Sequence, residues 1–312
     1  MSAAFTHRHL LGIEQLSAAD IQIILDLASH YAKQNRSPEK KGNKLVGKTI
    51  VNLFFENSTR TRTSFEIAAR RLGADAVNIA VEASSAAKGE TLLDTVRTLN
   101  AMQVDSFVIR HSKNGAPKEV ASIVEASVLN AGDGSNAHPT QALLDALTMT
   151  RHKGKLEGLK VAICGDVEHS RVARSNICLL KKFGAHPCVV APKEFMPQDL
   201  SRLGVPAFES MKEGLQDADA IIMLRIQRER LENENFNFSR EDYFKAWGLD
   251  HEKIKFAKSD AIVLHPGPLN REVEISSALA DDTRYSVILE QVEMGVAVRM
   301  ACLDLILGAR GD

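Results

Sequence analysis

The chain has 312 residues, with 39 Lys plus Arg against 40 Asp plus Glu and a formal net charge of −1. That length predicts about two domains, and the balanced charge argues against a protein that coats nucleic acid, which carries a basic excess. A hydrophobic fraction of 44% with 25% charged residues is ordinary for a globular chain, and 5% aromatics leaves little for a base-stacking or sugar-binding cleft.

Taken in order, the elements alternate between strand and helix. Ser17 with Asp20 three residues on reads as a capping box, followed by Ile21, Ile24, Leu25 and Ala28 at helical spacing. Residues 49–55 form a short apolar run of buried-strand type, and Phe65, Ala68, Ala69 and Leu72 mark a helix that stops at Gly73. Residues 76–80 predict a second strand, Leu92, Leu93, Val96 and Leu99 a helix, and 107–109 a strand. The polar stretch 130–138 reads as a loop, and Pro139 opens a helix with Leu143, Leu144 and Leu147 inward.

After Lys153-Gly154-Lys155 the pattern starts again. Strands are expected at 159–164, 187–190, 220–224 and 261–264, with a helix over 170–183 and a long final helix over 288–307. The fold class is therefore α/β, two domains each with a central mainly parallel sheet flanked by helices. The helix at 139–152 is expected to connect them, giving domains of 1–138 plus 290–312 and of 139–289. Cys164, Cys178, Cys188 and Cys302 form no CxxC pair and read as core residues of a reducing compartment. No apolar run approaches the ~18 residues of a membrane span, and Met1–Gln15 has no signal-type apolar stretch. A cytoplasmic location is expected, with no nucleic-acid or membrane partner.

The chemistry concentrates first in Glu56-Asn57-Ser58-Thr59-Arg60-Thr61-Arg62. A buried strand here runs into a hydroxyl-rich turn that starts a helix. First-turn N–H groups lack intrahelical acceptors and the dipole adds positive charge, so the segment fits an anion, most naturally phosphate. An N-cap with surface arginines is the plainer reading; two arginines and three hydroxyls packed at a strand-to-helix junction favour the anion site. There is no GxxxxGK[ST] and no GxGxxG after a strand, and the single Gly165 cannot make a pyrophosphate turn, which argues against a dinucleotide-binding dehydrogenase.

Three more clusters add complementary groups. Ser84 to Thr91 contains Lys88 beside Gly89, a ligand loop or simply a solvated lysine. Arg110-His111 ends a strand, where open α/β sheets bind ligands, though a strand-end arginine can also just reach water. Asn130 to Gln141 sets His138 at a helix start, where the dipole disfavours the cation; a neutral donor to a carbonyl oxygen or an ordinary hydrogen-bonded loop histidine both fit.

Together these motifs resemble the catalytic chains of the aspartate carbamoyltransferase family, within the aspartate/ornithine carbamoyltransferase superfamily. The matching pieces are Ser58-Thr59-Arg60-Thr61-Arg62 with Ser64-Phe65-Glu66, Lys88-Gly89-Glu90-Thr91, Arg110-His111 and residues 130–141. Gly165-Asp166 through Ser170-Arg171, residues 225–230 and His265-Pro266-Gly267-Pro268 extend the match over nearly the whole chain.

The resemblance implies carbamoyl transfer from carbamoyl phosphate to L-aspartate, without metal or cofactor. It implies that Ser58, Thr59, Arg60 and Thr61 hold the phosphate with Lys88 and Arg110, and that Thr61, Arg110 and His138 stabilise the carbamoyl oxyanion. Gln141 and the Gly267-Pro268 region would take the carbamoyl NH2, and Arg171, Arg225 and Gln227 the aspartate carboxylates. It further implies a homotrimer with shared active sites, Ser84 and Lys88 reaching in from the neighbour, compatible with a larger assembly carrying regulatory or dihydroorotase-like chains. A cis bond is expected at Gly267–Pro268.

His265-Pro266-Gly267-Pro268 lacks the cysteine of the ornithine enzymes' His-Cys-Leu-Pro, and Arg225 would repel a cationic acceptor, so aspartate is favoured over ornithine. Glu272 and Met294 stand where close relatives are expected to carry Gly and Asn. Asp133-Gly134, Glu90 and Arg62 read as scaffolding around the site. The competing class, a non-catalytic subunit that only binds anions, should have lost some of these groups; none is missing.

Overall fold

Helix α1 (Ala18–Arg36) starts at the expected capping box: the Asp20 amide donates to Ser17 Oγ at 3.1 Å, and the Ser17 amide to Asp20 Oδ2 at 2.8 Å. The computed structural model describes residues 5–80, 91–226 and 239–308. Chain contacts divide it into two units, one running to Leu147 and resuming at Glu293, the other Thr148–Val292.

In the first unit, β1 (Thr49–Phe54), α2 (Thr59–Arg71), β2 (Asp75–Ala80), α3 (Leu92–Asn100), β3 (Ser106–His111), α4 (Ala116–Ala121) and β4 (Ser127–Asp133) lead into α5 (Pro139–Lys153). The strands form a parallel sheet in the order β2-β1-β3-β4. Val51 and Leu53 of β1, Phe107 and Ile109 of β3 and Val128 of β4 form a core with Val96 and Val120 from helices α3 and α4. Strands buried on both faces by crossover helices read as continuous apolar runs, which is why β1 and β3 are plain in the sequence.

The second unit contains β5 (Lys160–Cys164), α6 (Arg171–Lys182), β6 (His186–Val190), β7 (Ala207–Phe208), α7 (Met211–Leu215), β8 (Ala220–Met223), α8 (Arg240–Trp247), β9 (Ile262–Leu264) and α9 (Ser277–Ala280). Its parallel sheet has the order β7-β6-β5-β8-β9. Ala162, Cys164, Cys188, Ile221, Met223 and Val263 pack there with Met211, Leu215 and Leu279. The last helix, α10 (Ile288–Leu307), contributes to both units.

The fold class is the one expected, with three differences in detail. Residues 130–133 are not loop but the end of β4, their polar side chains satisfied within the protein. Strand β4 and the short elements α4, β7, α7, α8 and α9 join those read from the sequence. The units divide inside α5 after Leu147 and inside α10 after Val292, a few residues from the expected divisions after residues 138 and 289. Cys164, Cys188 and Cys302 are buried free thiols, and Cys178 is half-buried. No described helix is long and apolar enough to cross a membrane.

Both sheets reverse direction of growth once. In the first, β1 leads to β2 on one side while β3 and β4 build the other; in the second, β5, β6 and β7 run one way and β8 and β9 the other. Such a switch point opens a crevice outside the carboxyl ends of the two innermost strands, where open α/β sheets take ligands. The switch lies between β1 and β3 in the first unit and between β5 and β8 in the second.

Candidate active site

At the first switch point, β1 runs through Phe55 and Glu56 into the start of α2. The Arg62 amide makes an early helical bond, to the Ser58 carbonyl at 3.0 Å, so the amides of Thr59, Arg60 and Thr61 precede the intrahelical ladder. Ser58 holds the N-cap position, yet its side chain makes no capping hydrogen bond. Ser17, Thr91, Ser170, Ser239 and Ser276, by contrast, all cap with their hydroxyls. The first turn of α2 contains no acidic residue, so its positive end is not offset there. Ser58 is half-buried, Thr59 and Arg60 are exposed, and Thr61 is buried.

Arg110 lies near the end of the adjacent strand, in register with Phe54. Its Nη1 donates to the Ala131 carbonyl at 3.2 Å and its Nε sits 3.2 Å from Glu56 Oε2. His111, next along, packs on the Phe55 ring at 4.8 Å and accepts the Lys113 amide at Nδ1. Burial lowers its pKa, which favours the neutral ring.

The β4 end is built around buried Asp133. Its two oxygens accept from the Asn130 and Asn136 amide groups at 2.7 and 2.9 Å and from the Ala137 and Gly115 backbone N–H at 3.1 and 2.7 Å. This knot fixes the turn from Ala131 to His138. Asp133 therefore has the scaffolding position read from the sequence. His138 is buried directly before α5, and its carbonyl accepts the Gln141 amide at 3.0 Å. Gln141, also buried, donates Nε2 to Asp145 Oδ1 at 2.9 Å.

At the second switch point, Gly165 follows β5 with φ of 116°, and a Cβ there would meet the Leu224 carbonyl at 3.1 Å. Only glycine fits that approach between neighbouring strand ends. Asp166 Oδ1 accepts the His169 amide and ring Nδ1 at 3.2 and 2.9 Å, setting up the turn into α6, which Ser170 caps. Arg171 is the first residue of α6, half-buried, in a first turn without acids. Arg225 is exposed just beyond β8.

The chain beyond β9 is tied from inside. His265 Nδ1 accepts the Gly267 amide at 2.8 Å, so the ring proton belongs to Nε2, which donates to Glu274 Oε1 at 3.0 Å. The same oxygen accepts the Asn270 amide at 2.5 Å, and Asn270 Nδ2 donates to the Ile226 carbonyl at 2.6 Å. His265 and Glu274 are fully buried. The Gly267–Pro268 bond is cis. Glu272 takes φ of 60°, the left-handed conformation that suits the expected glycine, and its carboxylate accepts the Ser277 amide at 2.7 Å. Met294 is buried in α10.

The structure thus gathers Ser58, Thr59, Arg60, Thr61, Arg110, His138 and Gln141 on the carboxyl edge of one sheet. Adjacent strand ends lie about 5 Å apart, so the connections that carry these groups leave the sheet side by side. Arg171, Arg225, Gly267 and Pro268 occupy the corresponding edge of the other sheet. Ser84, Lys88, Glu90 and Gln227 lie outside the described residues. Sequence reasoning passed over Glu56, Asp145, Asn270 and Glu274 as partners. Asp145 stands four residues after Gln141, a helical spacing that carried the signal; Glu56 needed the strand pairing to be known. Among the described residues no group of three or more His, Cys, Asp or Glu could hold a metal ion.

Residues 8–151 match the aspartate/ornithine carbamoyltransferase, carbamoyl-P binding domain, and residues 157–306 the aspartate/ornithine carbamoyltransferase, Asp/Orn binding domain. The aspartate carbamoyltransferase catalytic subunit of Rhodospirillum centenum is 60% identical over 309 residues, 99% of this chain and 97% of that protein. The crystal structure of Trypanosoma cruzi aspartate transcarbamoylase in complex with carbamoyl phosphate superposes with a TM-score of 0.86 at 35% identity, covering 98% of each chain. Pyrococcus furiosus ornithine carbamoyltransferase superposes with a TM-score of 0.85 at 28% identity, over 98% of this chain and 99% of that one. With both halves matched in order and relatives this similar over nearly their full length, the chain belongs to the aspartate/ornithine carbamoyltransferase family.

Proposed function

We propose that the chain is an aspartate carbamoyltransferase: it transfers the carbamoyl group of carbamoyl phosphate to the amine of L-aspartate, giving N-carbamoyl-L-aspartate and phosphate in the second step of de novo pyrimidine synthesis. The observation that carries this reading is the uncapped, acid-free start of α2 beside the anchored Arg110 at a sheet switch point, an arrangement suited to a phosphate. The relatives named above support the choice of reaction.

In this reading Ser58, Thr59, Arg60 and Thr61 hold the phosphate, with Arg110 and, from the neighbouring subunit, Ser84 and Lys88. The free amine attacks the carbamoyl carbon, forming the C–N bond. The carbonyl oxygen becomes an oxyanion that Thr61, Arg110 and neutral His138 stabilise. The C–O bond to phosphate then breaks, and the leaving phosphate takes the amine proton. Gln141 and the Gly267-Pro268 region bind the carbamoyl NH2, while Arg171, Arg225 and Gln227 grip the two carboxylates with planar guanidinium forks. Holding both reactants in line is worth up to ~7–11 kcal/mol in favourable cases, and the reaction as written uses no cofactor.

Aspartate rather than ornithine is the acceptor because exposed Arg225 attracts a second carboxylate and repels an ammonium. The working form in this reading is a cytoplasmic homotrimer with shared sites, open to regulatory or dihydroorotase-like partner chains. Assaying the purified chain with carbamoyl phosphate against aspartate, ornithine and simple amines tests the activity: product with aspartate alone is expected, and product with ornithine, or none at all, overturns it. Mixing Lys88→Ala and Arg225→Ala proteins under subunit exchange should restore activity; mixtures that stay inactive overturn the shared site.

A further inference from the structure

Gln141 stands in the first turn of α5 with its Nε2 donating to Asp145 Oδ1, one helical turn further on. A carboxylate only accepts hydrogen bonds, so this contact decides which end of the Gln141 amide is which. With the NH2 turned to Asp145, Oε1 is the end presented to a ligand. Asp145 is itself fully buried, and its charge is felt by Arg299 of α10 in the same unit. Burial pulls the Arg299 pKa down to about 10, against the opposing pull of Cys302 and Asp145. The Arg299 guanidinium lies 5.0 Å from the ring centre of Phe65, a residue of α2, the helix that begins at the anion site. A buried cation on an aromatic face, a buried carboxylate and a buried amide therefore follow one another towards Gln141.

We propose that Asp145 is a positioning residue that selects the carbamoyl group: by holding the Gln141 NH2 it presents Gln141 Oε1 as an acceptor, so the site prefers a carbamoyl NH2 to the methyl of an acetyl group of nearly the same shape. The inference rests on the assignment of Gln141 to the carbamoyl NH2 made above. Asp145→Asn keeps the volume but not the rule. The introduced amide brings an NH2 that can turn towards Gln141, a donor that the carboxylate lacks. Gln141 then answers with Oε1 and turns its own NH2 to the ligand, donor against donor. A site built around one hydrogen bond loses its discrimination when that bond cannot form.

The test compares carbamoyl phosphate, acetyl phosphate and inorganic phosphate as ligands of the wild type, Asp145→Asn and Gln141→Met. The wild type should prefer carbamoyl over acetyl phosphate, and Asp145→Asn should lose about 10-fold of that preference while its inorganic phosphate affinity stays unchanged. Asp145→Ser, whose hydroxyl donates as well as accepts, repeats the test if Asp145→Asn does not fold. If Asp145→Asn keeps the preference while Gln141→Met loses it, the role of Asp145 is overturned and that of Gln141 stands. If both keep it, the assignment of Gln141 fails as well. An equal loss of all three ligands marks Asp145 as merely structural and also overturns the proposal.

Discussion

The Arg110 guanidinium is held by Glu56, with Nε 3.2 Å from Oε2, across the ends of two neighbouring strands. The Ala131 carbonyl supplies a second anchor at 3.2 Å. Two anchors remove most of the rotamer freedom that an arginine would otherwise lose on gripping a ligand. Glu56→Gln should therefore raise the KM for carbamoyl phosphate by about 10-fold, since a charge-assisted contact of ~1.5 kcal/mol is weakened. Steady-state kinetics beside a thermal melt checks this; an unchanged KM would show that Arg110 needs no such support.

Ser58 and Ser17 occupy the same position on two helices and use it differently. Ser17 caps α1, so Ser17→Ala should cost about 1 kcal/mol in urea unfolding. Ser58 makes no cap bond, so Ser58→Ala should cost well under that while weakening inorganic phosphate binding several-fold. Equal stability losses in the two variants would return Ser58 to an ordinary capping role.

Glu274 satisfies two buried donors, the His265 ring and the Asn270 amide. Glu274→Ala strands both and should cost about 3 kcal/mol of stability. Because Asn270 is bonded to the Ile226 carbonyl beside Arg225, the KM for aspartate should rise too. Glu274→Gln, which keeps an acceptor, should be clearly milder in both measurements. A Gln variant as damaged as the Ala variant would mean that the charge, not the hydrogen bonds, is what the loop needs.

Glu272 combines a left-handed backbone, which costs a residue with a Cβ about 1 kcal/mol, with a carboxylate that receives the Ser277 amide. Backbone and side-chain hydrogen bonds from Ser277 hold its pKa below the ordinary 4.5. A depressed carboxylate adds stability that is fully present above the unfolded value and is lost as pH falls through the folded value. At neutral pH Glu272→Gly should thus be nearly neutral, strain relief offsetting the lost cap. Well below pH 4.5 it should become more stable than the wild type, which keeps the strain without the cap. Urea melts across that range would show the crossing, and parallel pH curves would rule it out.

The sequence made the buried strands and the charged strand ends legible because each is local: an apolar run, then a hydroxyl or arginine where it stops. Residues 130–133 misled because Asn, Gly and Asp are turn residues by composition; here the Asn130 and Asp133 side chains bond each other and nearby backbone, and the strand continues. Two-residue β7 carries too little pattern to be read. The partners of the site residues were hidden for a different reason. Glu56 meets Arg110 only through strand register, and Glu274 meets His265 only through the fold of the connecting loop.

Each sheet changes its direction of growth between two strands, and the described groups read as ligand contacts, Arg110 of β3 apart, sit on a connection leaving those strands or the next ones. The inner strands β1, β3, β5 and β8 are otherwise almost wholly buried. In the proposed reading, acceptor choice therefore falls to the connections after β5, β8 and β9 rather than to the strands that carry them. Retargeting such a chain to another amine would then be a matter of those three connections.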